Sequence, residues 1–230
     1  MEKRPKKALA RTLSCGQACA KLFLIAVLFI PALHAVPRFA PGSNEFLAPK
    51  VVNADRGQGN ASKKLVKIYA IVRSHRPEIT EAETWRLAQV ISEESSKRRV
   101  DPLLVLALIR VESGFRFNAV SPMGARGIMQ IMPDTGRFLA ESLAGEYGFH
   151  PAAFTPEALD DPVLNLRLGI YYLHDLKKQF AQLNHALTAY NFGPSHTQSR
   201  LENNLELSER YAALVLSAYQ RYQKGDPPRF

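Results

Sequence analysis

The run Pro102-Leu103-Leu104-Val105-Leu106-Ala107-Leu108-Ile109-Arg110-Val111 is apolar nearly all the way round a helical projection, and it constrains the fold more than any other stretch. A helix apolar along one stripe lies on a surface, whereas one apolar on every face has to be wrapped by other elements. The sequence predicts a central helix opened by Asp101-Pro102, where Asp caps and Pro suits the first turn, and closed by Ser113-Gly114. Wrapping elements are present. Leu65, Ile68, Tyr69 and Val72 fall at helical spacing, and Thr80 with Glu83 forms a capping box ahead of Trp85, Ala88 and Ile91, until charge takes over at Glu93 to Arg99. Further helices are expected from Asp134 to Leu143 and from Asp161-Pro162 through Leu166, Ile170, Leu173 and Leu176. Two more are expected from His185 to Asn191, with Gly193-Pro194 as a stop, and from Leu207 to Tyr222. No strand pattern competes, so the expectation is an all-α domain of about seven helices over 62–225.

The charge of the chain, +9, suggests a nucleic-acid partner until it is located. Lys3, Arg4, Lys6, Lys7, Arg11 and Lys21 stand against Glu2 before Ala35, and the remaining 24 basic and 20 acidic residues leave only +4. Half of the basicity is terminal. The positive stretch precedes the apolar run Leu22 to Leu33, which is short for a bilayer span and suits a signal-peptide core, with Ala35 at the expected cleavage point. We therefore expect a signal peptide over 1–35 and export to the periplasm or cell envelope, with an uncleaved anchor as the alternative. A linker rich in Pro, Gly and Asn is expected over 36–61. Cys15 and Cys19 both precede the apolar run, so the mature chain is expected to carry no disulfide, thiol nucleophile or cysteine metal site.

Glu112 ends the apolar run. Its side chain leans back over Leu108 and Ile109, where burial and the negative end of the helix dipole both favour the protonated carboxyl. An acid still protonated near neutral pH suits general-acid cleavage of a glycosidic bond. The plainer alternatives are a Glu that reaches solvent from a helix end, or one paired with Arg110 or Arg116.

Past Glu112 the chain adds small turn residues, two glycines, amides and methionines. Glu112-Ser113-x-Phe115-x-Phe117-Asn118-Ala119 runs into Ser121-Pro122-x-Gly124-Ala125-x-Gly127 and then Ile128-Met129-Gln130-Ile131-Met132-Pro133. Later come Asp161-Pro162-x-x-Asn165-x-x-x-Gly169-x-x-Tyr172-Leu173 and Ala186-Leu187-x-Ala189-Tyr190-Asn191-x-Gly193-Pro194. In these blocks, in this order, the chain resembles the soluble lytic transglycosylase family, glycoside hydrolase family 23, which has a lysozyme-like fold. The likeness covers roughly Leu87 to Pro194 and extends more weakly to Tyr222.

The resemblance implies a lytic cleavage of peptidoglycan glycan strands at the bond between N-acetylmuramic acid and N-acetylglucosamine. Glu112 would act alone, first as acid and then as base toward the muramyl 6-hydroxyl, to leave a 1,6-anhydro ring. An internal hydroxyl replaces activated water, so no second carboxylate is obligatory. Consistent with this, no Asp or Glu stands between Glu112 and Asp134, and Asp134, Asp160 and Asp161 read as helix-start residues. Ser121 matches a family serine near the glutamate, or else shapes a turn before Pro122. Gln130 and Met132 match positions that line the sugar cleft. Tyr190 and Asn191 match a Tyr-Asn pair whose hydroxyl would reach Glu112 or the developing charge and whose amide would hold a sugar. Phe192 departs from the small residue usual there, which would narrow one end of the cleft.

Nothing in the sequence calls for a cofactor or metal: there is no nucleotide fingerprint, and His75, His150, His174, His185 and His196 lack ligand spacing and read mostly as surface residues. Lys97-Arg98-Arg99 reads as a solvated helix end, or as a dock for an anionic wall polymer, not as a nucleic-acid patch. The expected partner is peptidoglycan, with the protein a monomer; service to a cell-envelope machine stands beside general wall remodelling. Two other functional readings stay open, a muramidase that uses water and a wall-binding protein without turnover.

Overall fold

The computed structural model describes residues 56–225, with side chains from residue 60 onward. The expected signal peptide and residues 36–55 of the expected linker lie outside the described residues, and its last six residues, 56–61, are helical instead of linker. Nine α-helices and two short 3-10 turns, and no strand, occur among the described residues. The helices are α1 (Arg56–His75), α2 (Glu81–Arg98), α3 (Pro102–Glu112), α4 (Pro133–Ser142), α5 (Ala144–Tyr147), α6 (Pro162–Gln179), α7 (Leu183–Phe192), α8 (Pro194–Glu202) and α9 (Arg210–Lys224).

The central helix is where the apolar run placed it. Leu104 to Ile109 of α3 are each at most 2% exposed, and α9 packs along α3 in the most extensive helix–helix contact of the fold. Burial of such side chains stabilises by about 1.5–3 kcal/mol each, which is why α3 can dispense with a polar face. Asp101 caps α3 by accepting from the Leu103 N–H, and Asp161 caps α6 from Leu164. The Thr80–Glu83 capping box at α2 is reciprocal. α1 begins at Arg56, upstream of Ser62.

Other expectations change. Gly193-Pro194 ends α7 but also starts α8, because proline at the first helical position gives up an N–H that has no intrahelical partner anyway. Asp160 does not start a helix: it closes the 3-10 turn Pro156–Asp160 and accepts from Nε and Nη2 of Arg126 at 3.2 and 2.6 Å. The charge run is not simply solvated either. Lys97 and Arg98 both pair with Glu146, Arg98 lies over the Tyr171 ring, and Arg99 adopts a left-handed cap at φ 53°. His75 is packed rather than at the surface, stacked on Phe115 and bonded to the Tyr222 hydroxyl at 2.8 Å, and burial pushes its pKa down to about 4.

Candidate active site

Glu112 stands at the last turn of α3, and burial raises its pKa from 4.5 to about 7. Neither Arg110 nor Arg116 forms an ion pair with it. Arg116 instead donates through Nε to the Ser113 carbonyl. The polar partner of Glu112 comes from the far end of the chain: the Tyr211 hydroxyl on α9 donates to Glu112 Oε1, which favours the carboxylate and partly opposes burial. Sequence reasoning misses Tyr211. Its one signal is a place on the buried face of α9, with Ala212, Val215, Ala218 and Tyr222, which spacing alone reads as core.

The segment 113–132 leaves α3 through a left-handed turn, Gly114 at φ 59° and Phe115 at φ 68°. A bulky residue in that region is strained, and Phe115 is held there by the His75 stack and by Arg76, whose Nη1 donates to the Phe115 carbonyl at 2.6 Å. Ser113 Oγ donates to the Ile128 carbonyl at 2.7 Å and ties the segment back onto α3. Two isolated antiparallel bridges, Val120 to Arg126 and Arg126 to Ile131, shape its middle.

From the other side Asn165 of α6, fully buried, donates to the carbonyls of Arg126 and Leu159 at 3.0 and 2.9 Å and accepts from the Met129 N–H at 2.7 Å. Gly127 is obligatory here: at φ 80° a Cβ would lie 2.1 Å from Asn165 Nδ2 and 2.2 Å from the Leu159 carbonyl oxygen.

This scaffold brings four of the five expected sugar-contacting residues together. Gln130, Met132, Tyr190 and Asn191 line one cleft of about 210 Å³ with Ile131, Thr135, Tyr172, Phe192 and Gly193. Ser121 is not among the lining residues. Its Oγ accepts from the Ala125 N–H at 3.0 Å and its carbonyl from Gly124, so it shapes the turn and keeps its hydroxyl proton and one lone pair for a ligand. The Gln130 amide spends its nitrogen on the carbonyls of Ala119 and Gly127, both at 2.9 Å, leaving its oxygen for a ligand.

Tyr190 also differs from expectation. Its hydroxyl donates to the Met129 carbonyl at 3.0 Å and not to Glu112. Burial, then the nearby Glu112 charge, hold the phenols of both Tyr190 and Tyr211 well above their ordinary range. Glu112 is not itself in the cleft lining, which holds no carboxylate, but it stands near enough to the lining residue Tyr190 for its charge to act on that phenol.

The arrangement can be set against known proteins. A family model described as the transglycosylase SLT domain matches residues 89–212, from within α2 to the start of α9. The chain is 28% identical over 151 residues to a soluble lytic murein transglycosylase of Escherichia coli K12, an alignment that takes in 58% of this chain and 23% of that relative. It therefore spans about a quarter of the length of that relative. Among solved structures, an inactive variant of the lytic transglycosylase Slt from Pseudomonas aeruginosa aligns with TM-score 0.50 and 28% identity, over 61% of this chain and 24% of that one. The 70 kDa soluble lytic transglycosylase of Escherichia coli aligns with TM-score 0.53 and 24% identity, over 73% and 30%, a likeness of fold. The helices, the segment they hold and the family match agree: the chain belongs to the transglycosylase SLT domain family.

Proposed function

We propose that the protein is an exported lytic transglycosylase of peptidoglycan. It cleaves the β-1,4 bond between N-acetylmuramic acid and N-acetylglucosamine and leaves a 1,6-anhydromuramyl end. The observation that carries this reading is a carboxyl with pKa about 7, without a cation partner, whose charge reaches Tyr190 in the lining of a cleft that holds no carboxylate of its own. At neutral pH about half of such a group is protonated. Glu112 gives that proton to the leaving glycosidic oxygen, then takes the proton of the muramyl 6-hydroxyl as this oxygen closes on the anomeric carbon. The nucleophile belongs to the substrate and is already positioned, so proximity supplies what an activated water would otherwise need. Tyr211 holds Glu112 through both protonation states. Gln130, Met132 and Asn191 take the sugars, Ser121 offers its hydroxyl proton from the turn before Pro122, and Tyr190 braces the cleft through the Met129 carbonyl.

Export rests on the basic stretch and apolar run before Ala35. Among the described residues no helix is long and apolar enough to cross a membrane. Digestion of purified peptidoglycan followed by mass spectrometry tests the chemistry. Anhydro ends are expected; reducing ends carrying added water would identify a muramidase, and intact strands a binding protein.

A further inference from the structure

The geometry points to a further sugar-binding position: Phe192, backed by His196, forms a platform for an N-acetylhexosamine ring that carries the glycan out of the cleft into a neighbouring cavity. This rests on the glycan-cleaving reading above. Phe192 is the last residue of α7 and is 45% exposed, a large aromatic side chain left in water at the edge of a cleft. Gly193 at φ 88° and Pro194 at the start of α8 fix the turn that presents it. Its ring lies 5.8 Å from the His196 imidazole, tilted by 36°, a contact that steadies it.

The position of Phe192 makes it more than a wall. It lines the cleft that holds Gln130, Met132 and Asn191, and it equally lines a second cavity of about 400 Å³ with His196, Arg200, Glu206, Leu207 and Ser208. The two spaces share Phe192, and in this proposal a strand leaving the first crosses that ring toward the second. The chemistry of the second fits a neutral sugar. Arg200 and Glu206 bring one charge of each sign, and Arg200 donates through Nε to the Glu206 carbonyl at 2.8 Å, leaving the ends of its guanidinium, the Glu206 carboxylate and the Ser208 hydroxyl for hydroxyl and acetamido groups. The ring supplies the rest. The C–H bonds on one face of a pyranose are weakly positive and the face of an aromatic ring is negative, so the two stack. A small residue at 192 would leave the cleft edge flat, which makes this a specificity feature of the present chain.

The test uses peptide-free glycan strands of four and eight sugars, purified from peptidoglycan, with the full protein. Strand affinity is measured on Glu112→Gln with Phe, Ala, Leu or Trp at 192, and cleavage on the same series carrying native Glu112. Phe192→Ala is expected to weaken binding of the eight-sugar strand about five- to tenfold, the worth of one aromatic stack, and to raise KM more than it lowers kcat. Phe192→Trp should restore affinity and Phe192→Leu should not. Affinity for the eight-sugar strand that is unchanged or tighter in Phe192→Ala overturns the inference alone, as does full rescue by Phe192→Leu, because the ring then only fills or blocks space. Strands bound by none of the proteins overturn it together with the reading beneath it. Strands bound but released uncut by native Glu112 overturn the lytic reading while the Phe192 dependence of affinity is still scored.

Discussion

Glu94 and Glu112 are glutamates on helices that the fold takes largely out of water, and each accepts a hydrogen bond from a tyrosine. Glu94 accepts from the Tyr147 hydroxyl at 2.5 Å, and Arg167 Nε stands 3.5 Å from its other oxygen. That nitrogen makes a charge contact without hydrogen-bond alignment. Lys97 and Arg167 lie over the Tyr147 ring, and Arg98 is within 3.4 Å of its hydroxyl. Glu112 has Tyr211 and no cation. A buried carboxylate with cations beside it is a rivet between helices; the same group without them becomes an acid that keeps its proton into the neutral range.

Exchanging the carboxyl for an amide should therefore do opposite things at the two sites. Glu112→Gln is expected to lower strand cleavage at least a thousandfold, since the amide keeps the shape and loses the transferable proton. It should also stabilise the fold, in a way that pH reveals. Because the folded pKa of Glu112 is raised from 4.5 to about 7, holding the carboxylate in the fold costs nothing below 4.5 and progressively more as pH climbs to about 7. The melting temperature of the variant should match wild type near pH 4 and exceed it increasingly up to pH 7, by an equivalent of at most about 3 kcal/mol. A variant cleaving within tenfold of wild type would remove Glu112 from the chemistry.

Glu94→Gln should show the reverse. Loss of its charge leaves Arg167 short of a counter-charge, for an expected cost of about 1–3 kcal/mol in denaturant unfolding, while turnover per folded molecule stays normal. An unchanged unfolding midpoint would mean that the cation finds water instead.

Tyr211→Phe sharpens the comparison by isolating the hydrogen bond. The bond favours the ionised carboxyl, so its loss should move the alkaline limb of the kcat/KM profile to higher pH, and loss of positioning should lower kcat about ten- to a hundredfold. A tyrosine that merely filled space would leave the profile where it was. The smallest effect is expected of Tyr190→Phe. It orphans the Met129 carbonyl and should cost about 1–3 kcal/mol of stability, with a rate loss that comes only from a loosened cleft floor. A rate loss of a hundredfold with an unchanged melting temperature would return Tyr190 to direct contact with the reaction.

The helices were legible where a local signal suffices. Thr80, Asp101 and Asp161 act within three residues of themselves, and the apolar run of α3 needs no knowledge of its neighbours. The short helix α5 and the two 3-10 turns carry no periodicity, and α8 was hidden because one dipeptide both stops a helix and starts one. At the candidate site, the residue types in the family blocks locate the cleft. They do not say where hydroxyls and amides donate, which is settled by backbone geometry: Ser121, Gln130 and Tyr190 each bond to the chain. Tyr211 lay beyond reach because it meets Glu112 across 99 residues, a distance that only packing closes.

The reliance of Glu112 on α9 also sets an order of events. Synthesis delivers α3, the 113–132 segment and α7 first, and a chain interrupted before Arg210 holds every residue of the cleft yet lacks the phenol that orients Glu112. The same missing helix is the most extensive neighbour of α3. Docking of one helix therefore completes the interior and the acid together, so a nascent or clipped chain acquires its tuned carboxyl no earlier than it acquires its full core.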